Sequence, residues 1–170
     1  PHPRLALALP LAVGMTAAAE WLEVELRLRL EMEDIRRRLE VQLPAGLTLV
    51  EITEAPPGAP SLASRLQASE YEVEIGQPPP RPAVEERLRR FLESPSWPLE
   101  EERRGRRRTL DLRYFVLEAE MGPWHDDYGR LRLVLRHSPT AGARPESILQ
   151  AWGIGPVVLL HRKRLILSTC

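Results

Sequence analysis

Residues 1–20 read PHPRLALALPLAVGMTAAAE, and the fold turns on how that stretch is taken. As an export signal it offers Arg4 as the basic region, Leu5 to Val13 as the apolar segment and Ala17-Ala18-Ala19 as the cleavage site. As a strand it offers Leu5, Leu7, Leu9 and Leu11 on one face with small Ala residues opposite. Pro10 interrupts the apolar run, and the Leu–Ala alternation matches a sheet with its Leu edge turned inward.

The next stretches carry the strand reading outward. In EWLEVELRLRL (20–30), Leu22, Val24, Leu26, Leu28 and Leu30 share one face while Glu23, Glu25, Arg27 and Arg29 share the other. A period of two predicts a half-buried antiparallel strand. In EMEDIRRRLEVQL (31–43), Met32, Ile35, Leu39 and Leu43 fall at helical spacing, and Pro44-Ala45-Gly46 ends the helix. LTLVEITEA (47–55) predicts a further strand. Residues 1–60 thus read strand, strand, helix, strand.

The proline- and glycine-rich stretch 55–68 is a connector. Beyond it, YEVEI (71–75) predicts a strand with Tyr71, Val73 and Ile75 on one face. Val84, Leu88, Phe91 and Leu92 form one helical stripe behind Pro82, which suits a first helical turn. A strand near 97–103, a turn at RRGRRR (103–108) and one long strand TLDLRYFVLEAEM (109–121) follow. After the loop GPWHDDYG come the strand RLRLVLRH, a helix opened by Arg144-Pro145, and the strand VVLLHRKRLIL (157–167). The expected fold is α+β. It comprises two ferredoxin-like halves, antiparallel sheets with helices on one face, at 1–60 and 61–170. The first half is expected to lack its opening strand and helix.

Composition bounds the function. A chain of 170 residues can bury roughly 70% of its unfolded surface. No apolar run approaches the ~20 residues needed to cross a bilayer, so no membrane partner is expected. The 24 basic and 24 acidic residues cancel, so anion binding needs a local patch. Lys163 is the one lysine, and that bias toward arginine runs through the whole chain without marking a site. Cys170 is the only cysteine, which excludes an internal disulfide or a cysteine-based metal site in this chain.

Few residues stand out as chemistry. His2-Pro3-Arg4 holds an imidazole between prolines beside a guanidinium suited to phosphate or carboxylate. Glu20 either pairs with Arg4 or ends the strand. Arg103, Arg104, Arg106, Arg107 and Arg108 surround Gly105 at a hairpin tip. They offer phosphate contacts unless Glu100, Glu101 and Glu102 neutralise them. Tyr114 and Phe115 lie near that tip and alternate faces, so at most one could stack on a base. His161, Arg162 and Arg164 add charge to the last strand, and Arg144 stands at a helix start. His125, Asp126 and Asp127 read as a polar loop rather than a metal site, and no metal site is expected. No Gly-rich phosphate loop, nucleophile elbow or zinc signature is present.

The opening stretch also carries a resemblance. Pro1, His2, Pro3 and Arg4, followed by Pro10, Gly14, Glu20 and Trp21, match the motif region of a bacterial family of radical-SAM-linked proteins of unknown function. APSLASRLQASEYEVEI, RRTLDLRYFVLEAEM and TAGARPESILQAWGI resemble that family's later segments, in order. The resemblance implies that the opening stretch is an internal strand and the chain cytoplasmic. It implies truncation, because the family's N-terminal strand and its Ser-His-Leu-Asp helix are absent from this sequence. It also implies a radical SAM protein as partner, encoded beside this one or fused to it. The cysteine cluster for an iron–sulfur centre is missing here, so the cluster and S-adenosylmethionine belong to that partner.

The leading expectation is therefore a non-catalytic accessory domain presenting a substrate, RNA above all, through Arg4, the arginine-rich turn and residues 161–164. One alternative is an enzyme using His2 and Glu20 as acid–base groups. Another is a protein–protein scaffold, which would show an exposed apolar patch.

Overall fold

The computed structural model describes residues 4–103, 105–138 and 142–168. The chain first forms β1 (Arg4–Leu7), β2 (Met15–Ala17), β3 (Leu22–Glu25), α1 (Met32–Gln42) and the single turn α2 (Leu62–Arg65). It continues through β4 (Leu66–Gly76), α3 (Arg81–Glu93), β5 (Pro98–Arg103), β6 (Arg106–Asp111) and the single turn α4 (Leu112–Phe115). Last come β7 (Val116–Trp124), β8 (Tyr128–Arg136), α5 (Pro145–Ala151) and β9 (Val157–Leu167). The class is α+β, with antiparallel and mixed sheets.

One five-stranded sheet, in the order β2-β9-β4-β8-β7, organises the core. Its ladders are antiparallel except where the short β2 joins β9 in parallel. Alternation along β4 turns Tyr71, Val73 and Ile75 inward and leaves Glu70, Glu72 and Glu74 half-exposed on the other face. Helix α3 buries Val84, Leu88 and Phe91 against the inward face, and α5 adds Ile148 and Leu149. Trp152, just past α5, meets Phe91 edge-on at 5.0 Å. Each such side chain contributes about 1.5–3 kcal/mol of burial free energy. Among the described residues no helix is long and apolar enough to cross a membrane.

The N-terminal segment departs from expectation. Strand β1 pairs antiparallel with β3 alone, setting Leu5 opposite Val24 and Leu7 opposite Leu22. All four are exposed, so the leucine edge faces outward and Ala8 is the residue that buries. The physical reason is that a two-stranded ribbon has no second layer over that face. Ala8 instead joins Leu62, Leu66 and Leu165 in a small second core. EWLEVELRLRL keeps only four residues as strand, and residues 47–55 form no strand. Helix α1 forms where its spacing predicts, yet buries no residue.

The long strand expected over 109–121 is broken. The Asp111 carboxylate accepts the backbone N–H of Arg113 at 3.0 Å and of Trp97 at 2.8 Å. Capping of this kind diverts the chain into α4 before β7 begins.

Candidate functional site

Arg162 lies inside the molecule, 1% exposed. Its Nε and Nη2 donate to the two oxygens of Glu20 at 2.7 and 2.5 Å, and Nη2 also reaches the Leu9 carbonyl at 2.8 Å. Burial alone would draw the guanidinium's pKa down. Hydrogen bonds and charge from Glu20, with help from Tyr71, outweigh it and hold Arg162 above its ordinary value. The pair fastens the loop between β1 and β3 to β9. Arg162 is thus withdrawn from the surface on which a ligand would sit, and both Glu20 oxygens are engaged. Arg4 pairs with Glu25 at 3.3 Å rather than with Glu20, and both are exposed. His161 Nδ1 lies 2.8 Å from the Thr16 hydroxyl. His2 lies outside the described residues.

The open face of the sheet is a lattice of paired charges. Glu70 accepts from Arg132 and Arg164, each at 2.6 Å. Arg132 also reaches Glu118 at 2.6 Å, and Arg130 reaches Glu74 at 2.7 Å. The bond from Arg132, then that from Arg164, holds the Glu70 carboxyl below the usual carboxylate range against a smaller opposing effect of burial than the first of these. Arg164 is therefore committed to a carboxylate. Arginine and glutamate alternate across this face, leaving no basic field there.

The hairpin β5–β6 forms a sheet of its own. Its ladder sets Glu101 opposite Arg108, Glu102 opposite Arg107, and Arg103 opposite Arg106. Arg108 bonds Glu101 in a half-buried ion pair. Along the shaft, then, acid faces base. At the tip the register places arginine against arginine, with Gly105 at φ +73° making the turn. Arg104 lies outside the described residues.

At the foot of the hairpin a shallow cleft of about 330 Å³ is lined by Leu92, Ser94, Pro95, Asp111, Arg113 and Tyr114. The Trp97 N–H, the largest influence, and further bonds from Ser96 and the Arg113 and Tyr114 amides hold the Asp111 carboxyl below its ordinary range. Tyr114 stands 55% exposed while Phe115 is buried. Alternation alone suggested that only one of this pair could face a ligand; the turn α4 decides which. The sequence signal for it was Asp111 two residues ahead of an amide it can cap.

The remaining candidates separate. Arg144 is exposed as the N-cap of α5, whose seven residues start at Pro145. His125, Asp126 and Asp127 make the β7–β8 turn, closed by the His125 N–H on the Tyr128 carbonyl at 2.7 Å. No group of three or more His, Cys, Asp or Glu residues able to hold a metal occurs among the described residues. Cys170 lies outside them.

No curated protein and no solved structure matches the chain. One family does, over residues 1–145, and its description is an uncharacterized protein conserved in bacteria (DUF2344). With most of its length matched, the chain belongs to this bacterial family of unknown function.

Proposed function

We propose that the chain is a non-catalytic accessory domain that presents RNA to a radical SAM protein in the cytoplasm. The register of the β5–β6 tip carries this reading, because it leaves arginine opposite arginine where the two pairs next below set Glu101 against Arg108 and Glu102 against Arg107. The motif resemblance at residues 1–21 supports the radical SAM partner, which would hold the iron–sulfur cluster and S-adenosylmethionine. The frame is proposed to be ferredoxin-like. In favour, β4, α3, β7, β8, α5 and β9 occur in that order along the chain, with β5, β6 and α4 inserted between α3 and β7, and the strands lie in the order β9-β4-β8-β7. Residues 1–60 would contribute β1, β3 and α1 to a second, incomplete unit of that kind.

Filter binding of mixed tRNA at low salt tests the RNA reading. With ~4 phosphate contacts on a single strand, log affinity should fall with log salt at a slope near −3. No retention above a neutral control protein would end it.

A second reading, a protein–protein scaffold, is favoured by the outward apolar face of Leu5, Leu7, Leu22 and Val24. Co-elution with the radical SAM protein, lost on Leu5→Glu with Leu22→Glu, would support it. Co-elution that survives both substitutions would exclude the ribbon as the contact.

A further inference from the structure

We infer that Tyr114 and Arg136, at the foot of the β5–β6 hairpin, form a stacking site for one unpaired nucleobase. This rests on the RNA reading above. The geometry is preorganised. Capping by Asp111 turns the chain at α4, so the Tyr114 ring points to solvent while Phe115 stays in the core. Phe115 fixes that ring by an edge contact at 5.0 Å and 89°. The Arg136 guanidinium sits over the ring, 5.0 Å from its centroid, and its Nε is anchored on the Tyr114 carbonyl at 3.2 Å.

An exposed aromatic ring with a guanidinium over it is a platform for a planar ligand. Every base has a π-face, so stacking on tyrosine or on an arginine plane tolerates any sequence. The cleft of about 330 Å³ opens beside the ring, giving a base room to lie against it. Arg113, in its wall, is committed through Nε to the Leu92 carbonyl and through Nη1 to that of Val116. Those two nitrogens are thus spent on backbone carbonyls and hold the side chain in the cleft wall. Strands of six residues put the tip ~20 Å from this foot. One single strand could thus lay phosphates at the tip and a base at the foot.

The test is anisotropy titration of a labelled eight-nucleotide single-stranded RNA over a range of salt. Tyr114→Ala should weaken binding roughly 5- to 100-fold with no change in salt slope, as expected for a lost stack. Tyr114→Phe keeps the ring and should stay within about twofold. Arg103→Ser with Arg106→Ser should instead flatten the slope by about 1.4, two contacts at about 0.7 each. Wild-type affinity in Tyr114→Ala would overturn the stacking site while leaving the RNA reading intact. A flattened slope in that variant would also overturn it, since the change would then have disturbed the charged tip. Should Tyr114→Ala fail to fold, Tyr114→Leu replaces it with the same expected loss, and unchanged affinity is again fatal. If the unaltered protein binds no RNA, the RNA reading falls, and titrating adenosine monophosphate against the Tyr114 ring resonances decides the stack alone. Ring shifts would uphold it, and their absence would remove it.

Discussion

Replacing Glu20 with glutamine strikes the contact that fastens the N-terminal loop to the sheet. Arg162 is 1% exposed and takes both Glu20 oxygens, so the substitution leaves a cation in the interior without its counter-charge. Breaking a buried pair by removing one partner costs about 3–5 kcal/mol. The Glu20 side chain is a quarter exposed, so water relieves part of the loss and the lower end, about 3 kcal/mol, is expected. For a chain of this size that lowers the melting temperature by about 6–12 °C. Urea unfolding followed by tryptophan fluorescence, with circular dichroism melts, measures both. The loss should persist in 1 M salt, where an exposed pair would already be screened. The paired change Glu20→Leu with Arg162→Met removes both charges and should recover most of the stability. A cost below 1 kcal/mol for Glu20→Gln, or a double variant no better than the single, would refute the claim that this pair holds the loop.

Other perturbations follow from the same packing. Phe91→Ala should cost about 3–5 kcal/mol by denaturant titration, because the ring is fully buried between Trp97 and Trp152. Asp111→Ala should cost about 1–2 kcal/mol and shift the Tyr114 resonances, since α4 loses its cap. Glu70 and Asp111 have folded pKa values below their ordinary 4.5 and 3.8. Their contribution is therefore present above those values and lost as pH falls through the depressed ones. Stability measured from pH 7 to pH 2 should drop below about pH 4.5, and the drop should shrink in Glu70→Gln with Asp111→Asn. An unchanged acid limb in that variant would assign the drop to other groups.

Local pattern alone determined much of this protein. The stripe Val84, Leu88, Phe91 reports a helix, and the alternation Tyr71, Val73, Ile75 reports a strand, because each period is the element's own geometry and burial follows from it. The arginines around Gly105 were legible as a hairpin tip for the same reason: a turn glycine at φ +73° is a local demand. What the alternation could not report was which layer, if any, would cover a face. Leu5 and Leu7 alternate as well as any core strand does, yet they face outward because β1 found only β3 as neighbour.

Side-chain partners were equally hidden. Glu20 and Arg162 stand 142 residues apart, and nothing near either one marks the other; only the approach of the N-terminal loop to β9 joins them. The balance of Glu101 and Glu102 against Arg108 and Arg107 required the ladder register, and so did the imbalance left at the tip. The alternating pattern makes Tyr114 part of one long strand, and only the Asp111 carboxylate, accepting the Trp97 amide across the hairpin, breaks that strand. Period and turn chemistry act over a few residues and are written in order along the chain. Coverage, charge pairing and exposure are set by segments distant in sequence, and the tertiary structure alone brings those together.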